Sequence, residues 1–150
     1  MRRHAGPAAG GVSLSGVRDF VLTLSLEPGA VRAARDDVSR ALVEFGFAAR
    51  SAFVDAVLLV VSELVANVVR HAVGRSATAE VTVSASPGLV VIGVADEDPR
   101  LPDLSPSALG EGLRTVSELA ALYGGRLTVE PFVRGDGKTM LVRFQRPEAQ

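Results

Sequence analysis

One stretch of the chain places residues capable of chemistry at helical spacing: Glu63, Asn67, Arg70 and His71. At about 100° per residue, a helix puts Asn67 near 40° from Glu63, Arg70 near −20° and His71 near 80°. The four polar groups then share about one third of the helix surface. A carboxamide oxygen can hold a hard cation without adding charge, and a partly desolvated carboxylate one turn earlier can orient or deprotonate a hydroxyl. Both suit phosphoryl transfer, which is mainly positioning and charge stabilisation around magnesium. The competing reading is an ordinary solvated face. Against it, Leu59, Val60 and Val68 ring the strip with apolar groups, as at the floor of a pocket. His71 at the end of the helix is read as serving the helix dipole or a hydrogen bond.

These residues need a scaffold, and the apolar periodicity supplies one. Phe20, Leu22, Leu24 and Leu26 alternate as one side of a strand, broken by Pro28-Gly29. Val31, Ala34, Val38, Ala41, Leu42 and Phe45 recur at helical spacing until Gly46. A second helix is expected from an N-cap at Ser51 to about Ala72. It is apolar on nearly every side, which marks a buried helix. Glu80 to Ala85 and Leu89 to Ala95 read as a hairpin about Pro87-Gly88. Asp96 to Leu109, with its prolines and aspartates, reads as a long irregular loop. A third helix is expected from Glu111 to Tyr123, ended by Gly124-Gly125. Strands containing Leu127 and Val129, then Thr139 to Phe144, complete the chain around a turn at Gly135-Asp136-Gly137. The fold class expected is an α+β two-layer sandwich, a mixed, mainly antiparallel sheet with helices on one face. Residues 1–16 are expected to be a disordered tail, 17–146 one domain, and 147–150 a C-terminal tail.

Composition narrows the function. With 16 basic and 17 acidic residues the formal net charge is −1, so no global field favours nucleic acid or an anionic membrane. The absence of cysteine excludes thiolate metal sites and thiol nucleophiles, and fits a reducing cytoplasm. Uninterrupted apolar runs such as Val57 to Val61 fall far short of the roughly 18 residues a membrane helix requires. Arg2-Arg3 has no apolar core behind it, so it is not read as an export signal. Gly137-Lys138-Thr139 resembles the end of a Walker A loop, but Phe132 stands where that motif needs glycine, and a strand follows. A serine hydrolase or catalytic zinc would need a partnered histidine; His4 lies in the tail and His71 is alone.

The run Glu63-Leu64-Val65-Ala66-Asn67-Val68-Val69-Arg70-His71-Ala72 resembles the N-box of the GHKL superfamily of gyrase, Hsp90, histidine kinase and MutL proteins. Asp96 ends a strand as in the G1 box, Gly110-Glu111-Gly112-Leu113 opens a helix as in the G2 box, and Gly137-Lys138-Thr139 enters the last strand. The resemblance covers about Val17 to Gln145 and, at this length, is greatest to the anti-sigma regulatory factors, serine kinases of bacterial partner switching. It implies the Bergerat ATP-binding fold, with ATP or ADP and Mg2+ as cofactors. By that resemblance Asp96 accepts from the adenine amino group, and Thr139 supports the same base. Asn67 ligates magnesium, Glu63 is the base, and the backbone at Gly110, Gly112 and Leu113 approaches the phosphates. Asp98 and Lys138 would also line the nucleotide site. The implied partners are a sigma factor and an anti-anti-sigma protein of STAS type, and a homodimer is compatible with the family.

Two departures bear on activity. Asp98 stands where the superfamily usually has glycine, and Ser107-Ala108-Leu109 replace the basic residue that kinase members tend to carry before the G2 glycines. Glu111 places an acid between those glycines, unfavourable beside a triphosphate unless it turns outward. Lys138 and Arg114 are the candidate compensating charges. Two classes therefore remain: a kinase of partner switching, and a binding module on the same fold with weak or absent catalysis.

Overall fold

A computed structural model describes residues 3–5, 11–12, 16–72 and 74–146. Its elements, in chain order, are β1 (Arg3–Ala5), β2 (Gly11–Val12), β3 (Arg18–Ser25), α1 (Ala30–Glu44), α2 (Ala52–His71), β4 (Thr78–Ser86), β5 (Leu89–Asp96), α3 (Glu111–Leu122), β6 (Leu127–Pro131) and β7 (Lys138–Gln145). The sheet runs β3-β4-β5-β7-β6, with β1 and β2 both on the outer edge of β3. The α+β class is as expected, and every described strand pair is antiparallel. The α3 crossover sets β5 and β6 running the same way, but β7 lies between them and pairs antiparallel with both.

The tail expectation needs correction where strands are seen. Arg3–Ala5 and Gly11–Val12 pair with β3 instead of being disordered. Sheet pairing uses backbone groups, so an open edge can accept a Gly/Ala-rich segment that has no apolar pattern of its own. Residues 1–2, 6–10, 13–15 and the expected C-terminal tail 147–150 lie outside the described residues.

Alternation puts Phe20, Leu22 and Leu24 of β3, Val81 and Val83 of β4, Ile92 and Val94 of β5, and Met140, Val142 and Phe144 of β7 in the core beneath the helices. Each fully buried Leu, Ile, Val or Phe contributes about 1.5–3 kcal/mol against exposure. Helix α2 is the centre of the helical layer, packed against α1, α3 and β5. Its N-terminus is fixed twice: Ser51 Oγ accepts from Val54 N at 3.2 Å, and Phe53 packs on Phe47, Tyr123 and Phe144 with ring centroids 5.1–5.8 Å away. By length and composition α2 is apolar enough to cross a membrane, with a mean hydropathy of 2.1. Here Phe53, Val54, Val57, Val60, Val61, Leu64, Val65 and Val68 are instead buried inside the protein. This anchored helix carries its polar strip to its C-terminal half, about 15 Å from Phe53 at 1.5 Å per residue.

Candidate functional site

Beyond the C-terminal half of α2 lies a cavity of about 850 Å³, closed by the end of β5, the loop from Glu97 to Gly110 and the start of α3. Glu63, Asn67, Arg70, His71, Asp96, Asp98, Gly110, Gly112, Leu113 and Lys138 all line it. Residues far apart in sequence thus meet because α2, α3, β5 and β7 end or begin around one space.

At the β5–β7 end the charges are paired. Asp96 and Lys138 are cross-strand partners on the buried face, with Lys138 Nζ 3.0 Å from Asp96 Oδ1. Lys138 Nζ also donates to the Asp98 carbonyl at 2.9 Å, while Asp98 N donates to Asp96 Oδ1 at 2.8 Å. The Asp98 carboxylate, only 2% exposed, accepts from both Nε and Nη2 of Arg100, at 2.6 Å in the shortest contact. Those side-chain bonds to Arg100 outweigh burial and, with the Arg100 amide and the Lys138 charge, hold the Asp98 carboxyl well below the usual carboxylate range. Arg100 is correspondingly raised, chiefly by the same hydrogen bonds. Its Nη2 also donates to the His71 carbonyl at 2.7 Å, joining the loop to the last turn of α2. Gly137 makes the close strand approach possible: its φ is 132°, and a Cβ there would sit 2.4 Å from the Asp96 carbonyl oxygen.

The α2–α3 end is different. Among the described residues, Glu63, Asn67 and Arg70 have no side-chain hydrogen bond or ion pair. A Cβ on Gly112 would lie 2.4 Å from Glu63 Oε2 and 3.7 Å from Arg70 Nη2, so α3 begins directly against both groups. No side chain caps α3, and its first helical bond runs from Arg114 N to Gly110 O. The amides of Glu111, Gly112 and Leu113 are left for an outside acceptor. Glu111 is exposed at this same turn.

The fit to a metal follows from the donor set. No group of three or more His, Asp or Glu side chains among the described residues is arranged to hold an ion. Asn67 would hold a magnesium ion whose other ligands are phosphate oxygens and water, the usual manner of binding this ion, and Glu63 would stay free of it.

Three expectations are changed by the geometry. Thr139 does not line the cavity; it lies on the opposite sheet face, where a Cβ on Gly93 would be 3.4 Å from Thr139 Cγ2. Strand alternation gives the inward place opposite Asp96 to Lys138. Neither candidate compensating charge is free for the α3 turn: Lys138 is held by Asp96, and Arg114, which does not itself line the cavity, is bonded to the Leu109 carbonyl at 3.3 Å. The cation at that end is Arg70, whose helical angle beside Glu63 was the available signal. Arg100 had no such signal, because it lies in irregular backbone.

The sequence pattern of the histidine kinase-like ATPase domain matches residues 24–125, about two thirds of the chain and ending before β6. Among solved structures, the chain is similar to that of the RsbU and RsbW domains of Rv1364c from Mycobacterium tuberculosis. That similarity has 19% identity and a TM-score of 0.63, and covers 86% of this chain and 33% of that one. It is also similar to the histidine kinase domain of the blue-light activated histidine kinase from Erythrobacter litoralis EL346, at 20% identity and a TM-score of 0.53, over 77% of this chain and 60% of that one. The chain thus spans a third and three fifths of the lengths of these two proteins, and at such identities the likeness is one of fold. Comparison with curated proteins gives no match.

Proposed function

Since this chain belongs to the family of histidine kinase-like ATPase domains, we propose that its cavity binds Mg-ATP and that the protein is a cytoplasmic anti-sigma regulator of partner switching. In this reading it sequesters a sigma factor and phosphorylates a serine of a STAS-type anti-anti-sigma protein. The carrying observation is the wall where unpartnered Glu63, Asn67 and Arg70 face the uncapped first turn of α3. Adenine lies at the Asp96 end and the phosphates at the α3 turn, where backbone amides, the helix dipole and Arg70 favour anions. Asn67 holds the magnesium, which neutralises charge on the phosphate oxygens when bound. Glu63 takes the proton of the partner serine as its oxygen bonds to the γ-phosphorus; the bond to the bridging oxygen breaks and ADP leaves.

Glu111 supports a second reading. Its carboxylate at the α3 turn opposes a triphosphate, as expected of a binding module that regulates its partner with weak or absent transfer. Incubation of the protein with ATP and candidate anti-anti-sigma partners separates the two. The kinase reading expects a single phosphate mass shift on the partner, reduced at least about a hundredfold in rate by Glu63→Gln. Stable complexes without that shift would decide for the binding module.

A further inference from the structure

Lys138 has a role that neither the phosphates nor the fold alone explains. Its ammonium carries three protons, and two are directed to Asp96 Oδ1 and the Asp98 carbonyl. Lys138 lines the cavity together with Asp96. Asp96 Oδ1 already accepts from Lys138 and from the Asp98 amide, whereas Oδ2 receives no hydrogen bond from any described residue. The floor therefore offers one open carboxylate acceptor beside one ammonium donor. The polar edge of adenine offers the complement, an amino donor at C6 beside an acceptor nitrogen at N1.

Resting on the ATP reading above, we propose that Lys138 is a specificity-determining residue that donates directly to adenine N1 while Asp96 Oδ2 accepts from the amino group. Guanine presents an acceptor and a donor in reversed order, O6 and N1–H, and adds a further donor, the amino group at C2. With Oδ1 already occupied, that group would be left unsatisfied on a buried floor. The lysine also neutralises the buried carboxylate, so the base meets a floor of no net charge.

The test is competitive binding to the full chain of ATP, of 1-deaza-ATP, which has carbon in place of N1, and of GTP. On the wild type, 1-deaza-ATP is expected to bind on the order of tenfold or more weaker than ATP, the loss of one charge-assisted hydrogen bond. GTP is expected to bind more weakly than ATP. In Lys138→Met the gap between ATP and 1-deaza-ATP should close, and Lys138→Arg should restore part of it. Equal binding of ATP and 1-deaza-ATP to the wild type would overturn the assignment without any variant needing to fold. So would GTP binding more tightly than ATP, or an unchanged gap in Lys138→Met. Failure of ATP and every analogue to bind would instead overturn the ATP reading, and this inference with it.

Discussion

The two ends of the cavity are built on opposite terms. At the β5–β7 end each charged group has a partner within the protein: Lys138 with Asp96, Asp98 with Arg100, and Arg100 again with the His71 carbonyl. At the α2–α3 end Glu63, Asn67 and Arg70 have none among the described residues, and the amides of the first α3 turn are open. A satisfied polar network in a low dielectric fixes its own shape before a ligand arrives. Unsatisfied donors and acceptors at a cavity wall are available for a ligand to complete. Stability should therefore reside mainly at the β5–β7 end, which leaves only Asp96 Oδ2 and one Lys138 proton for a base, and phosphate chemistry at the other.

The largest effect should come from breaking the paired end. Lys138→Met leaves Asp96 buried without its cation, and removing one partner of such a pair costs about 3–5 kcal/mol. That corresponds to a fall of roughly 10 °C or more in melting temperature. Asn67→Ala, which removes no protein hydrogen bond, should stay within about 0.5 kcal/mol of the wild type. Thermal melts without nucleotide check the contrast, and equal melting of the two variants would erase it.

A smaller effect should separate two glycines. Gly137→Ala forces a Cβ onto the Asp96 carbonyl at a φ of 132°, and should destabilise by about 1–3 kcal/mol. Gly110 has φ −71° and open space around it, so Gly110→Ala should cost less than about 1 kcal/mol, the scale of a weakened N-cap. Denaturant titration that ranked them the other way would contradict the strand contact as the reason for Gly137.

The smallest is a pH effect. Because Arg100 depresses the Asp98 pKa in the folded protein, the ion pair contributes fully above the unfolded value near 3.8. Its contribution is lost as the pH falls below that value toward the folded pKa. Arg100 is more than half exposed, so solvent screening keeps the effect small. Asp98→Asn should melt slightly lower at pH 7 and lose less stability between about pH 5 and 3 than the wild type. Parallel acid profiles would remove Asp98 from the paired end.

The same contrast marks what can be read from a sequence. Glu63 and Asn67 were legible because spacing along one helix fixes their common face, and Ser51 because a cap needs only its local neighbours. The core strands were legible through alternation, as at Phe20, Leu22 and Leu24. The choice between Lys138 and Thr139 depends on the register of β7 against β5, and a shift of one residue exchanges the faces of a strand. Arg100 reaches Asp98 and His71 through a loop with no period. The short strands at Arg3–Ala5 and Gly11–Val12 form by backbone pairing, which leaves no side-chain pattern to read.

If the open end of the cavity receives a magnesium-bound triphosphate, calorimetric titration of the full chain with ATP will detect it. Saturable binding of one nucleotide per chain is expected, weakened by magnesium removal in the wild type but insensitive to it in Asn67→Ala. Absence of ATP and ADP binding to the wild type, with the protein folded, would contradict it.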